Sequence, residues 1–188
     1  MNFAHLSLRP RAFFAQSADS LSWVWPLVGF YVFAFASYFQ HFLVNGYHMP
    51  YWLVLYVVAW VPALTLALGL FVLLVLFWYW PATNILGAGQ PFDRSTKIVG
   101  ISLLVPGAVF LAALFVLATL ESNGDALSYR AVVATLHAIV SVWALALIVV
   151  GAKVSNKLTA RQTALLGLWL VLLLVLLVAA IIAIAKTS

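Results

Sequence analysis

Four histidines, four acids and nine bases carry most of the chemistry open to this sequence, and nearly all of them fall at the edges of long apolar runs. His41 and His48 close one such run, and Glu121 and Asp125 sit in a short polar loop. His137 falls about two turns into a later run. Imidazole and carboxylate together can bind a metal ion or pass protons. However, no two of the histidines have the i, i+4 spacing of a helical metal motif, and assembling the set requires two loops to converge. The plainer alternative is a set of polar residues in the headgroup zone, with His137 satisfied between helices. No metal and no cofactor is therefore expected. His41, His48, Glu121 and His137 are the only candidates for a metal site.

Other chemistries fare worse. The chain has no cysteine, which removes disulfides, thiolate catalysis and Cys-based metal sites together. No Ser/His/Asp set falls on one side of the apolar runs, no carboxylates are paired for acid–base work, and no HExxH motif occurs. Gly87-Ala88-Gly89 resembles the start of a dinucleotide-binding turn, but it follows an apolar helix rather than a strand and lacks the third glycine. It reads as a place for the chain to turn. None of the acids or bases falls mid-helix. The polar groups inside the runs are Gln40, Thr65, Ser102, Thr135, His137 and Ser141, and Ser and Thr can bond back to helix carbonyls without any further role. An ion-coupled transporter usually shows more buried acid than this. An enzyme is not expected.

The elements that position these residues follow from composition. Of 188 residues 66% are apolar and 7% charged, against roughly 25% charged in a soluble domain. Such a chain cannot cover a water-facing surface. Runs of about 20 apolar residues recur, each long enough to cross a bilayer. The expected fold class is all-α: a polytopic integral membrane protein with a bundle of five transmembrane helices, near 22–44, 51–80, 98–120, 129–150 and 162–185. Residues 1–20 form a polar N-terminal segment and 21–188 the membrane domain. Pro10 can open a short helix whose Phe13 and Phe14 lie in the headgroup zone. Asp19 or Ser20 is placed to cap the first long helix. Pro62 predicts a kink, Pro81 a stop, and Pro106-Gly107 a break. Residues 82–97 and 151–161 read as connectors. Ala63/Ala67, Ala108/Ala112 and Ala134/Ala138 are spaced for close helix contact. The first apolar run exceeds a signal-peptide core of roughly 7–15 residues, so a cleaved signal is not expected.

Charge sets the expected orientation. Arg9 and Arg11, Arg94 and Lys97, and Lys153, Lys157 and Arg161 fall in alternate connectors, which five crossings put on one side, leaving Arg130 and Lys186 on the other. Seven bases against two is a clear positive-inside signal, with the N-terminus cytoplasmic and the C-terminus outside. The net charge of +5 and pI near 9.8 then express orientation and contact with anionic lipid, and nucleic-acid binding is not expected.

The order of these features resembles the Yip1 family of five-helix membrane proteins. The resemblance begins at Leu8-Arg9-Pro10-Arg11-Ala12-Phe13-Phe14. It continues through Gly87-Ala88-Gly89-Gln90-Pro91-Phe92-Asp93-Arg94-Ser95 and Ile98-Val99-Gly100-Ile101-Ser102 to Pro106. It ends with Val150-Gly151-Ala152-Lys153-Val154-Ser155-Asn156-Lys157-Leu158-Thr159, followed by Gln162 and Ala164. The resemblance implies five crossings and a cytoplasmic N-terminus. The short N-terminal segment fits the bacterial type, which implies the bacterial inner membrane. Eukaryotic relatives carry a longer soluble N-terminal region and are associated with Rab GTPases and vesicle traffic; with about twenty residues before the first apolar run, that partnership is not expected here. The expected function is non-enzymatic: organising membrane lipid or partner proteins, with a homo-oligomer or a membrane-protein partner compatible. The alternatives are a small transporter or channel, motivated by the proline breaks, and an accessory subunit of a larger complex, motivated by the uniformly apolar last helix.

Overall fold

A chain with no water beside it must satisfy each N–H and C=O within itself, so apolar runs of this length wind into helices. The computed structural model describes residues 4–17, 20–45, 64–65, 67–69, 71–87, 91–120 and 126–187. All regular structure among them is helical: α1 (Ala4–Leu8), α2 (Pro10–Ser17), α3 (Val24–Asn45), a π-helical turn (Val75–Tyr79) leading into α4 (Trp80–Leu86), α5 (Phe92–Leu120), α6 (Ala126–Ser155) and α7 (Ala160–Thr187). Among the described residues, three stretches are long and apolar enough to cross a membrane: Ala67–Leu86, Phe92–Ala118 and Arg130–Ser155.

The boundaries differ from expectation in instructive ways. Pro10 does open α2. Just ahead of α3 the Ser22 hydroxyl accepts from the Val24 N–H at 3.4 Å; of the two expected caps, Ser20 lies four residues before Val24 and Asp19 lies outside the described residues. Pro81 does not stop its helix. The preceding turn widens, so that the Trp80 N–H donates to the Val75 carbonyl, and the helix continues to Leu86. A π turn of this kind lets a helix accept a residue that cannot donate. Pro106 and Gly107 likewise sit within an unbroken α5. Pro62 lies outside the described residues.

The expected connectors are largely helix. Residues 82–86 belong to α4 and 92–97 to α5. Thr96 Oγ1 bonds back to the Phe92 carbonyl at 2.9 Å, and Asp93 pairs with Lys97 at 3.1 Å across one turn. Polar residues of this sort suit a helix that rises out of hydrocarbon into the interface. α6 likewise runs on to Ser155, leaving only a tight turn before α7.

Packing fixes the relative directions. Gly100 of α5 lies against Pro26 of α3, and Gly107 against Phe33, so these two helices run parallel. Ile98 meets the Gly151 backbone and Phe110 stacks near His137, so α6 runs antiparallel to α5. The Leu86 carbonyl meets Gln162, and Trp78 lies 5.9 Å from Trp169, so Ala67–Leu86 runs antiparallel to α7. Successive long helices therefore alternate in direction.

The contact between α3 and α5 is built on glycine. A Cβ on Gly29 would collide with the Gly100 carbonyl oxygen, and one on Gly100 would sit 2.6 Å from the Pro26 carbonyl oxygen. One on Gly107 would lie 2.9 Å from the Phe33 Cα. Without side chains at these positions the two backbones can touch. The alanine pairs do not serve this purpose within the chain: Ala108, Ala112, Ala134 and Ala138 are exposed. Of the third pair, Ala67 is half-buried and Ala63 lies outside the described residues.

Candidate functional site

One end of the bundle collects the starts of α3, α5 and α7, the ends of α4 and α6, and the two short N-terminal helices. α2 is anchored there by Phe13 and Phe14, which pack edge to face at 5.5 Å and are buried. The expectation that these rings lie among headgroups is therefore corrected. Phe14 sits against Gly151, where an added Cβ would lie 3.1 Å from its ring and 2.6 Å from Ile98. Leu6 of α1 is fully buried in the same cluster. The aromatic face of α2 is covered by helices rather than by lipid, because a glycine at 151 opens room for it.

The turn between α6 and α7 is closely specified. The Asn156 N–H donates to the Ala152 carbonyl at 2.9 Å, and the Leu158 N–H to the Lys153 carbonyl at 3.0 Å. Lys157 between them takes a left-handed backbone, φ 51°. This is a Schellman ending, which normally places glycine at that position. The buried Leu158 supplies the accompanying apolar contact. α7 then opens on a capping box. Gln162 Oε1 accepts from the Thr159 N–H at 2.9 Å, and Thr159 Oγ1 accepts from the Gln162 N–H at 3.3 Å. The amide Nε2 of the same Gln162 donates to the Leu86 carbonyl at the end of α4. Gly87 fits beneath this turn; a Cβ there would meet Leu158 at 2.9 Å and Asn156 at 3.1 Å. Gly87 and Gln162, distant in sequence, thus form one junction.

The seven bases expected at a membrane rim all belong to this end. Arg9 and Arg11 flank the α1–α2 joint and are exposed, as are Lys157 and Arg161. Arg94 and Lys153 are half-buried. Lys97 is half-buried as well: beside its Asp93 partner, its ammonium lies 5.2 Å from the centre of the Trp23 ring. Arg130, on the first turns of α6, is exposed in the other half of the molecule. A cationic rim around an apolar bundle can hold phosphate headgroups at the level where the helices leave hydrocarbon.

The metal candidates are not brought together by anything described. His137 lies between two rings, 5.0 Å from Phe110 and 6.3 Å from Phe33. His41 is on the last turn of α3 without a described side chain, and His48 and Glu121 lie outside the described residues. Ser102 and Thr135 bond back to their own helix, at 2.7 Å to Ile98 and 2.8 Å to Ala131. A cavity of about 90 Å³ between helices is lined by Leu74, Tyr79, Val99, Leu145, Ile148 and neighbouring leucines, and gives an ion no counter-charge.

Sequence reasoning missed the burial of Phe14, the Gly29–Gly100–Gly107 contact and the junction at Gln162. Two signals were present: Gly100 and Gly107 lie on one helical face, and Thr159-x-x-Gln162 has capping-box spacing. Compared with protein-family models, curated proteins and solved structures, the chain matches none.

Proposed function

We propose that this chain is a five-span, Yip1-like protein of a bacterial inner membrane, which organises anionic lipid or partner proteins through a cytoplasmic basic end and performs no catalysis. The observation that carries this reading is the gathering of seven bases at the end where α2, α5 and α7 begin and α4 and α6 finish. α3 and α7 supply the first and fifth crossings beside the three apolar stretches Ala67–Leu86, Phe92–Ala118 and Arg130–Ser155. Their alternating directions fit successive crossings, and the positive-inside rule then turns the basic end toward the cytoplasm. Each exposed base near an anionic surface contributes about 1 kcal/mol of attraction.

Native mass spectrometry of the full chain, released from nanodiscs of mixed phosphatidylglycerol and phosphatidylcholine, tests the lipid reading. Retained lipid is expected to be enriched in phosphatidylglycerol. The enrichment is expected to fall stepwise as Arg9, Arg11, Lys157 and Arg161 are changed to Gln. Equal retention of both lipids by the unaltered protein contradicts it.

A further inference from the structure

We infer that the groove between α4 and α7 seats one acyl chain of an anionic phospholipid, with the phosphate held by Arg161. The groove encloses about 350 Å³ and is walled by Pro81, Ala82, Ile85 and Leu86 on one side and by Leu165, Leu168, Trp169 and Leu172 on the other. Ile85 and Leu168 are among the most exposed apolar side chains of the bundle, at 83% and 67%. Both walls belong to helices read here as membrane-spanning, so this specific site rests on the proposed membrane reading.

Three features choose the occupant. The first is register. Arg161 precedes Leu165, Leu168 and Leu172 by four, seven and eleven residues, so one face of α7 carries a cation followed by an apolar track roughly 10 Å long. The second is closure. Gln162 joins the Leu86 carbonyl beside Arg161, so the walls meet at the charged end and the groove runs from there into the apolar body of the bundle. A site that is cationic at its head and apolar below fits an anionic amphiphile. The third is the chemistry of the walls. Close contact between helices in hydrocarbon favours small residues, and this groove is built mainly of Leu, Ile and Trp. A flexible chain fits between such side chains better than a second helix does. Lys157, exposed at the preceding turn, adds charge of the same sign.

The test uses the full-length protein in mild detergent with phosphatidylglycerol and phosphatidylcholine carrying the same mid-chain photoreactive group. Crosslinks are expected to concentrate at Ile85 and at 165–172, with phosphatidylglycerol labelling the stronger. Arg161→Gln should lower phosphatidylglycerol labelling about fivefold, toward the phosphatidylcholine level, as expected for one charge near an anionic surface. Leu168→Trp should fill the groove and suppress both lipids. Leu176→Trp, on an exposed position further along α7, should leave labelling intact. Labelling spread evenly along α7, labelling unmoved by either groove variant, or chain-to-chain crosslinks at this face indicating a second copy would overturn the site. If the whole protein still enriches phosphatidylglycerol in that case, the site fails and the broader function stands. Groove labelling by both lipids without any such enrichment leaves the acyl-chain seat and removes both the Arg161 headgroup contact and the broader function.

Discussion

The two halves of the bundle are held in different ways. The basic half has a large mixed core that draws Leu6, Phe14, Tyr79, Ile98, Ala152 and Leu166 from nearly every element. Bonds between elements and within its turns reinforce that core: the Gln162–Leu86 link, the capping box at Thr159, and Lys97 between Asp93 and Trp23. Among the described residues, the far half has a core of Ala36, Phe39, Phe110, Leu114, Val133 and Val140. The contacts between its helices are, among the described residues, apolar and aromatic, with His137 held between rings, while Ser37 and Thr135 bond back to their own helices. Apolar packing in hydrocarbon is non-directional and tolerates exchange, whereas caps, tight turns and glycine contacts permit few substitutes. Specificity is thus concentrated where charge meets the interface.

The largest effect expected from breaking this contrast comes from Phe14→Ala. Losing a fully buried ring that anchors α2 should cost about 3 kcal/mol or more. Trimming the exposed Phe115 in the far half should cost far less. Comparing thermal unfolding midpoints in detergent checks both, and equal losses would remove the distinction. Gly100→Ala comes next, at about 3 kcal/mol, because the added methyl meets Pro26 backbone that cannot move aside. Gly167→Ala, with nothing within 4 Å of the new methyl, should be neutral or slightly stabilising in the same assay.

Gln162→Ala should cost about 2 kcal/mol, since it removes one half of a capping box and leaves the Leu86 carbonyl without that donor. Faster amide exchange in 84–87 and 159–163, but not in α5, is the diagnostic sign. Lys157→Gly works in the opposite direction. It relieves a left-handed backbone that a side chain disfavours and should stabilise the turn by up to about 1 kcal/mol. A lower unfolding temperature for this variant would contradict the Schellman assignment.

Much of the architecture could be read from the apolar runs, because their length leaves helix as the form that satisfies the backbone. The helix ends could not. Residues 92–97 and 151–155 are polar or contain glycine, and the same composition serves a loop or a helix emerging into the interface. Pro81 suggested a stop because a single residue type does not reveal that the turn before it can widen. Phe13 and Phe14 suggested headgroup contact because an amphipathic segment looks alike whether lipid or protein covers its apolar face. The clustering of the bases followed directly from alternating connectors. Which of them stay exposed did not follow, since Lys97 meets Trp23 only once α3 and α5 are packed together.

The chain has no cysteine, so single-cysteine variants give an unambiguous map of sidedness. Cysteines placed one at a time at Gln16, Lys157, Ser122 and Ser188 can be labelled with a membrane-impermeant thiol reagent in right-side-out vesicles, before and after permeabilisation. Positions 122 and 188 should label at once, and positions 16 and 157 only after permeabilisation. Immediate labelling at 157, or the same behaviour at 16 and 188, would contradict five crossings with a cytoplasmic basic end.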